Sequence, residues 1–335
     1  MRRISPHLLS LFVLLLAILL SIAIGSVFIP PADLWRVLTG QPPQTVTRAA
    51  VIVLTLRLPR TALILLAGAA LGASGAAYQG VFRNPLADPY LIGTASGAGL
   101  GAVLAMSVNW PYTTAGLLAI PAAAFVGALA AVFLVYLLAR VGKTVPTTNL
   151  ILAGVAFSAF ATGLTAFLML QSTGELRRAI AWLLGGSTFT GWGPVLVILP
   201  FLVIGLGGLL LAGHSLNVLQ FGDDQARQMG LPVGRARTLI LLAASLATAS
   251  AVAFSGIIGF IGLIIPHVMR LWFGADYRRL LPLAMIGGAA ALLLADVLAR
   301  VVMAPQELPV GVVTALAGAP FFVWVLRRAK NQGYW

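Results

Sequence analysis

The chain has no cysteine, so it can form no disulfide and perform no thiol chemistry. Charge is scarce: Asp, Glu, Lys and Arg make up 9% of 335 residues, and only 8 residues are acidic. The three histidines, His7, His214 and His267, stand far apart and lack metal-ligand spacing, so no metal site is expected. A phosphate-binding loop is also missing. Gly142-Lys143-Thr144 ends like one, but Leu137 stands where that pattern needs glycine. The run GAGLG at 97–101 lacks dinucleotide-loop spacing and falls inside an apolar segment. No nucleophile–base pair or ligand cluster recommends an intramembrane enzyme. These absences leave no catalytic residue and no cofactor to expect on the chain.

What is present is apolar. Hydrophobic residues make up 60% of the chain, and its mean hydropathy is +1.01. A crossing needs about 20 apolar residues, so the length suits about ten spans. They are read at 8–28, 61–81, 93–108, 114–139, 148–170, 193–212, 238–255, 258–272, 280–300 and 308–327. The expected fold is an all-α integral membrane protein, a single transmembrane domain over 1–335. The opening MRRISPHLLS with its apolar run to Phe28 resembles a signal peptide, but the run is too long and further spans follow, so it is read as the first helix.

The net charge of +13 sits at the ends of apolar runs, which is loop anchoring and not nucleic-acid binding. An even span number puts both termini on one side. The far side then holds Arg36, Arg48, Arg57, Arg60, Arg177, Arg178 and Arg300, and the remaining Lys and Arg lie with the termini. The bias predicts N-in and C-in, in the cytoplasmic (inner) membrane.

The longest polar interruption in the C-terminal two-thirds is GHSLNVLQFGDDQARQMGLPVGRART, 213–238. A short turn over Leu216–Phe221 is expected, broken at Gly222. Asp223 then caps a second short helix with Arg227 in its last turn and Gly230 as its stop. Such stubby helices suit docking of a soluble partner, and a solvated loop has the same composition. No carboxylate lies mid-span, where ion-coupled carriers place ionisable groups. An ion-gradient-driven secondary transporter is therefore the alternative, and energy supplied by another polypeptide the main reading.

Some details concern packing. Arg57 and Arg60, in LRLPR, flank one outward helix end, with Pro59 suited to the helix start. Asp296 precedes Arg300 by four residues, the favourable order for an intrahelical pair. Gly93, Gly97 and Gly101 recur every four residues, and Gly256, Gly259 and Gly262 every three, patterns that allow close helix approach. The segment 174–192 suits a short helix that does not cross fully.

Several stretches together resemble one family: LRLPR (56–60), RNPLADPYLIGTASGAG (83–99), LILAGVAF (150–157), GIIGFIGLIIPHVMRLWFGADYRRLLP (256–282), LLLADVLAR (292–300) and ELPVGVVTALAGAPFFVWVL (307–326). They are similar to the FecCD-type permeases of ATP-binding-cassette (ABC) importers for iron-siderophores, haem and vitamin B12. The resemblance covers nearly the whole chain. It implies a type II ABC importer permease fold, with spans two to five and seven to ten as related halves. It also implies a second permease copy, two cytoplasmic ATPase subunits that carry ATP and Mg, and an extracytoplasmic binding protein. By the same resemblance, Gly222, Asp223, Ala226, Arg227 and Gly230 shape the ATPase coupling surface. Arg57, Arg60 and Arg300 match sockets for acidic residues of the binding protein. Thr147 and Thr148 match a cytoplasmic gate, and Asn84 and Leu86 a second constriction beside it. Thr-Thr stands where relatives often carry Thr-Ser. The implied cargo is a metal chelate, a ferric siderophore first, with cobalamin or haem next.

Overall fold

The computed structural model describes residues 6–40, 47–108, 110, 113–142, 144–171, 176–186 and 191–330. Lys143 and 187–190 lie outside them. The helices are α1 (Pro6–Ala23), α2 (Pro31–Leu38), α3 (Thr47–Val51), α4 (Leu58–Phe82), α5 (Thr94–Met106), α6 (Thr114–Ala139), α7 (Thr147–Gln171) and α8 (Leu176–Leu183). They continue as α9 (Gly193–Leu211), α10 (Gly213–Leu219), α11 (Asp223–Gln228), α12 (Val233–Ser255), α13 (Ile261–Phe273), α14 (Tyr277–Val301) and α15 (Val310–Lys330). A π-helical turn, Ile52–Arg57, joins α3 to α4.

Among the described residues, seven helical stretches are long and apolar enough to cross a membrane, and α5, α13 and the Val310–Val325 part of α15 are shorter apolar helices. These match the ten expected spans. The first ends at Ala23 and not Phe28, because the chain turns at Gly25–Val27 and Arg57 takes the carbonyls there. The second does not start at Pro59. Helical backbone runs from Arg48 to Phe82, and Pro59 sits in the first turn of its α-helical part. Proline supplies no N–H and crowds the carbonyl four residues back, and the turn before it widens into π geometry.

α4 is the centre of the molecule. Every residue from Ala67 to Val81 is buried, so it has no lipid-facing stripe there. It packs against α14, α12, α13 and α9. Small residues let the backbones meet. A Cβ on Gly68 would strike Gly288 of α14, and one on Gly75 would strike Gly262 of α13. The same device joins α5 to α6, where Gly97 meets Gly127 and Gly101 meets Ala123.

Two four-helix sets share a pattern. α4–α7 and α12–α15 both run long, short, long, long. Packing follows in pairs: α5 on α6 and α13 on α14, α13 on α4 and α5 on α12, α14 on α4 and α6 on α12. The C-terminal end of α4 and the N-terminal end of α12 both lie beside α11, so the sets run in opposite directions, an inverted repeat.

α5 and α13 have 13 residues each. At 1.5 Å per residue each spans about 20 Å, short of a hydrocarbon core of about 30 Å. Non-helical backbone precedes each of them, segment 83–93 before α5 and segment 256–260 before α13. Segment 83–93 is not a surface loop along its whole length: Pro89 packs on Gly262, which also meets Gly75 and the Leu71 carbonyl in the middle of α4. Segment 256–260 leads into α13 in the same way.

Candidate functional site

At the end of the molecule that holds residues 213–238, α10 and α11 form a platform between α9 and α12. Buried Leu216, Leu219 and Ala226 seat it on the bundle. Asn217 fastens α10 to the start of α14. Its Nδ2 donates to Asp276 Oδ1 at 2.6 Å, and its Oδ1 accepts from the Tyr277 N–H at 2.8 Å. Asp276 caps α14 by accepting from the Arg278 N–H at 3.0 Å. The Asn217 side chain, with that N–H, holds the Asp276 carboxyl below its usual range.

Asp223 does not cap α11, contrary to the sequence expectation. Gly222 takes the N-cap position with φ +97°, a left-handed-side conformation that suits glycine. The Asp223 carboxylate instead accepts from Arg237 at 2.8 and 3.0 Å and stands 3.9 Å from Arg83. This ties α11 to α12 and to the end of α4. Arg227 pairs with Asp224 at 3.3 Å and stays largely exposed. Gly230, φ +83°, ends the helix as expected, with Gly230 N–H bonded to the Arg227 carbonyl and Leu231 N–H to the Ala226 carbonyl. Among the five candidate coupling residues, four shape the platform and Arg227 projects from it. Exposed Phe221 and Met229 flank α11. Beside it lies an open groove of about 860 Å³ lined by Arg227, Arg235, Arg237, Tyr136, Thr144 and Pro146, among others.

Thr147 and Thr148 open α7, one half-buried and one exposed. The Pro146 carbonyl accepts from the Leu150 N–H at 3.1 Å and so starts the helix. Asn84 Oδ1 accepts from the Leu86 N–H at 2.9 Å, a local turn directly after Arg83, which ends α4 at φ +49°. α7 meets segment 83–93 at Gly154, against the Leu91 carbonyl, and meets the first turn of α5 at Ser158, whose hydroxyl accepts from Ser96 at 3.0 Å. Gly154 lies two turns along from Thr147, about 10 Å at 1.5 Å per residue. The helix and the segment are neighbours, and their contact is made deeper than the candidate gate residues.

At the opposite end the three arginines do come together, but they differ in burial. Arg57, 5% exposed, donates to the carbonyls of Ile22, Ala23 and Val27 and so closes the end of α1. Arg300, 3% exposed, bonds the Ser21 carbonyl and hydroxyl at 3.1 Å each, and its Nε lies 3.0 Å from Asp296 Oδ2. Ser21 also shares a 2.8 Å bond with Thr61. Arg57 and Arg300, expected to face a partner, are buried in the chain taken alone, and both guanidiniums hold the bundle's own groups. Arg60 does reach the surface. It donates to Asp296 Oδ1 at 3.1 and 2.9 Å and to Glu307 Oε2 at 2.6 Å. These groups line a cavity of about 190 Å³ closed by Gly185 and Gly186. Sequence reasoning missed Glu307 and Ser21. The signal for Glu307 was available: it is the only carboxylate in the short break between α14 and α15.

Comparison with known proteins gives one family. The FecCD transport family matches residues 13–328. The chain is 44% identical over 279 residues to the cobalamin import system permease protein BtuC of Halobacterium salinarum, covering 83% of this chain and 74% of that one. It is 38% identical over 345 residues to the hemin transport system permease protein HmuU of Yersinia pestis, covering 98% of each. Its fold is similar to a solved structure described as an inward-facing metal-chelate type ABC transporter, with TM-score 0.82 and 29% identity over 96% of this chain and 98% of that one.

Proposed function

The chain belongs to the FecCD transport family, and from that premise we propose that it forms, as a homodimer, the membrane path of an ABC importer for a metal chelate. The cargo class follows the relatives, whose names give cobalamin and hemin. A ferric siderophore is the first candidate, ahead of those two. The chain is a transport subunit, and hydrolysis of ATP with Mg belongs to a separate cytoplasmic ATPase pair.

The observation that carries this reading is the α10–α11 platform. It is a pair of short helices seated by buried leucines and held by Asp223–Arg237 and Asn217–Asp276, with Arg227, Phe221 and Met229 at its surface. A surface element held in this way transmits a push from a partner into packed spans, which switch between discrete arrangements. At the other end, the binding protein docks on the Arg60–Glu307 surface, with orientation set by charge complementarity. Arg57 and Arg300 support that surface from beneath.

The test is co-purification. Deleting Asp223–Gly230 leaves a folded chain that no longer retains the ATPase. Retained ATPase overturns the coupling assignment. Separately, Arg60→Glu abolishes stimulation of ATPase activity by the binding protein, and unchanged stimulation removes the docking assignment.

A further inference from the structure

Segments 83–93 and 256–260 interrupt the helices from opposite ends of the inverted repeat, and they meet inside the bundle. Non-helical backbone at membrane depth survives only where protein or water satisfies its polar groups. One side chain does this for Ile258. The Tyr90 hydroxyl donates to the Ile258 carbonyl at 2.9 Å and accepts from the Ile258 N–H at 3.2 Å. A phenol can do both at once, and phenylalanine can do neither.

Each side of this bridge continues to one end of the molecule. Towards α11, segment 83–93 begins at Arg83, which packs on Gly222 and faces Asp223, while Gln220 donates to the Gly80 carbonyl at 3.2 Å. Towards the Arg60 end, the Ile257 carbonyl lies against Gly185 and Gly311, the latter at the start of α15. Phe260 enters α13 at φ +70°, a left-handed conformation that a non-glycine residue adopts at a cost, with its ring against Gly318 of α15. The break is thus held in a strained shape from three sides, and Tyr90 is its contact with the α11 side.

We propose that Tyr90 is the positioning residue that couples the two ends: movement of α10–α11 reaches the outer mouth through segment 83–93, the Tyr90 hydroxyl and the 256–260 break. This rests on the reading of α10–α11 as the ATPase contact. A merely local strut would affect stability and leave communication intact, so the test reads communication.

The chain has no cysteine, so single cysteines at Gln228 and Gln306 take spin labels cleanly, one at each end. The tagged chain, with the ATPase that co-purifies with it, is reconstituted in nanodiscs and trapped with ATP, Mg and vanadate. Wild type changes its spectrum at both labels. Tyr90→Phe keeps the change at Gln228 and the basal hydrolysis rate but loses the change at Gln306, and binding-protein stimulation of hydrolysis drops at least fivefold. If Tyr90→Phe shows the wild-type change at both labels, the proposal is overturned. If Tyr90→Phe does not fold, a fluorinated tyrosine at position 90 keeps the shape and alters only the hydroxyl's bonding. A weakened response at Gln306 then supports the proposal and an unaltered one overturns it. Absence of any response to nucleotide in wild type counts against the functional reading of α10–α11, and the coupling role falls with it.

Discussion

Arg57 and Arg60 stand three residues apart, and their different environments separate their roles. Arg57 satisfies three carbonyls at the end of α1 that have no other helical partner. Arg57→Met leaves the Ile22 carbonyl unsatisfied in a buried place and the other two in part-buried ones, a loss of about 3 kcal/mol at about 1 kcal/mol each, the low end of the cost of an orphaned group. Thermal unfolding in detergent measures it, and a melting curve equal to wild type would contradict the capping role. A second residue-scale prediction concerns Asp276. Its folded pKa is depressed by Asn217, so this pair adds stability above the ordinary carboxylate range and loses it as pH falls through the depressed value. Asn217→Ala is therefore less stable than wild type at neutral pH, and in acid the gap narrows to what the bond from the Tyr277 N–H contributes. The sequence showed that three arginines gather at one end and that Asp296 pairs with Arg300. It did not show which guanidinium faces inward. That depends on Ser21, Ile22 and Ala23, more than thirty residues earlier in the chain, and on how α4 is rotated against α1.

The elements themselves were mostly legible, because long apolar runs between polar loops leave little choice in a membrane. The exceptions have physical causes. The π-turn before Pro59 is a backbone adjustment that hydropathy does not register. The inward path of segment 83–93 was hidden because RNPLADP is polar and turn-rich, which reads as a surface loop. The α10 start at Gly213 was missed because the helix follows α9 with almost no break. The glycine spacing was informative: Gly97 and Gly101 do face α6, and Gly262 faces α4, while Gly256 and Gly93 serve positive φ instead. Gly75→Val forces α4 from α13, an overpacking loss of roughly 3 kcal/mol. Gly207→Ala, where an added Cβ meets nothing within 4 Å, gains up to about 1 kcal/mol by helix propensity. Comparing the two melting temperatures checks that close approach, and not glycine content, sets the effect. Equal shifts would contradict it.

On the scale of the whole molecule, two polar ends flank an apolar bundle, and the two are linked through an inverted repeat. The sequence placed 213–238 with the termini by charge alone, and the structure gathers Arg83, Asp223, Arg237 and Asp276 at that same end. An impermeant maleimide should label a single cysteine at Gln306 in intact cells, and one at Gln228 only in inside-out vesicles; labelling of Gln228 in intact cells would contradict the orientation. The central claim is that the chain provides a path and its partners provide the energy. Uptake of a radiolabelled ferric siderophore, haem or cobalamin into proteoliposomes tests this most directly. The account predicts accumulation of one of these chelates only when chain, ATPase, binding protein and ATP with Mg are all present. Accumulation by the chain alone, driven by an imposed proton or sodium gradient, would contradict it.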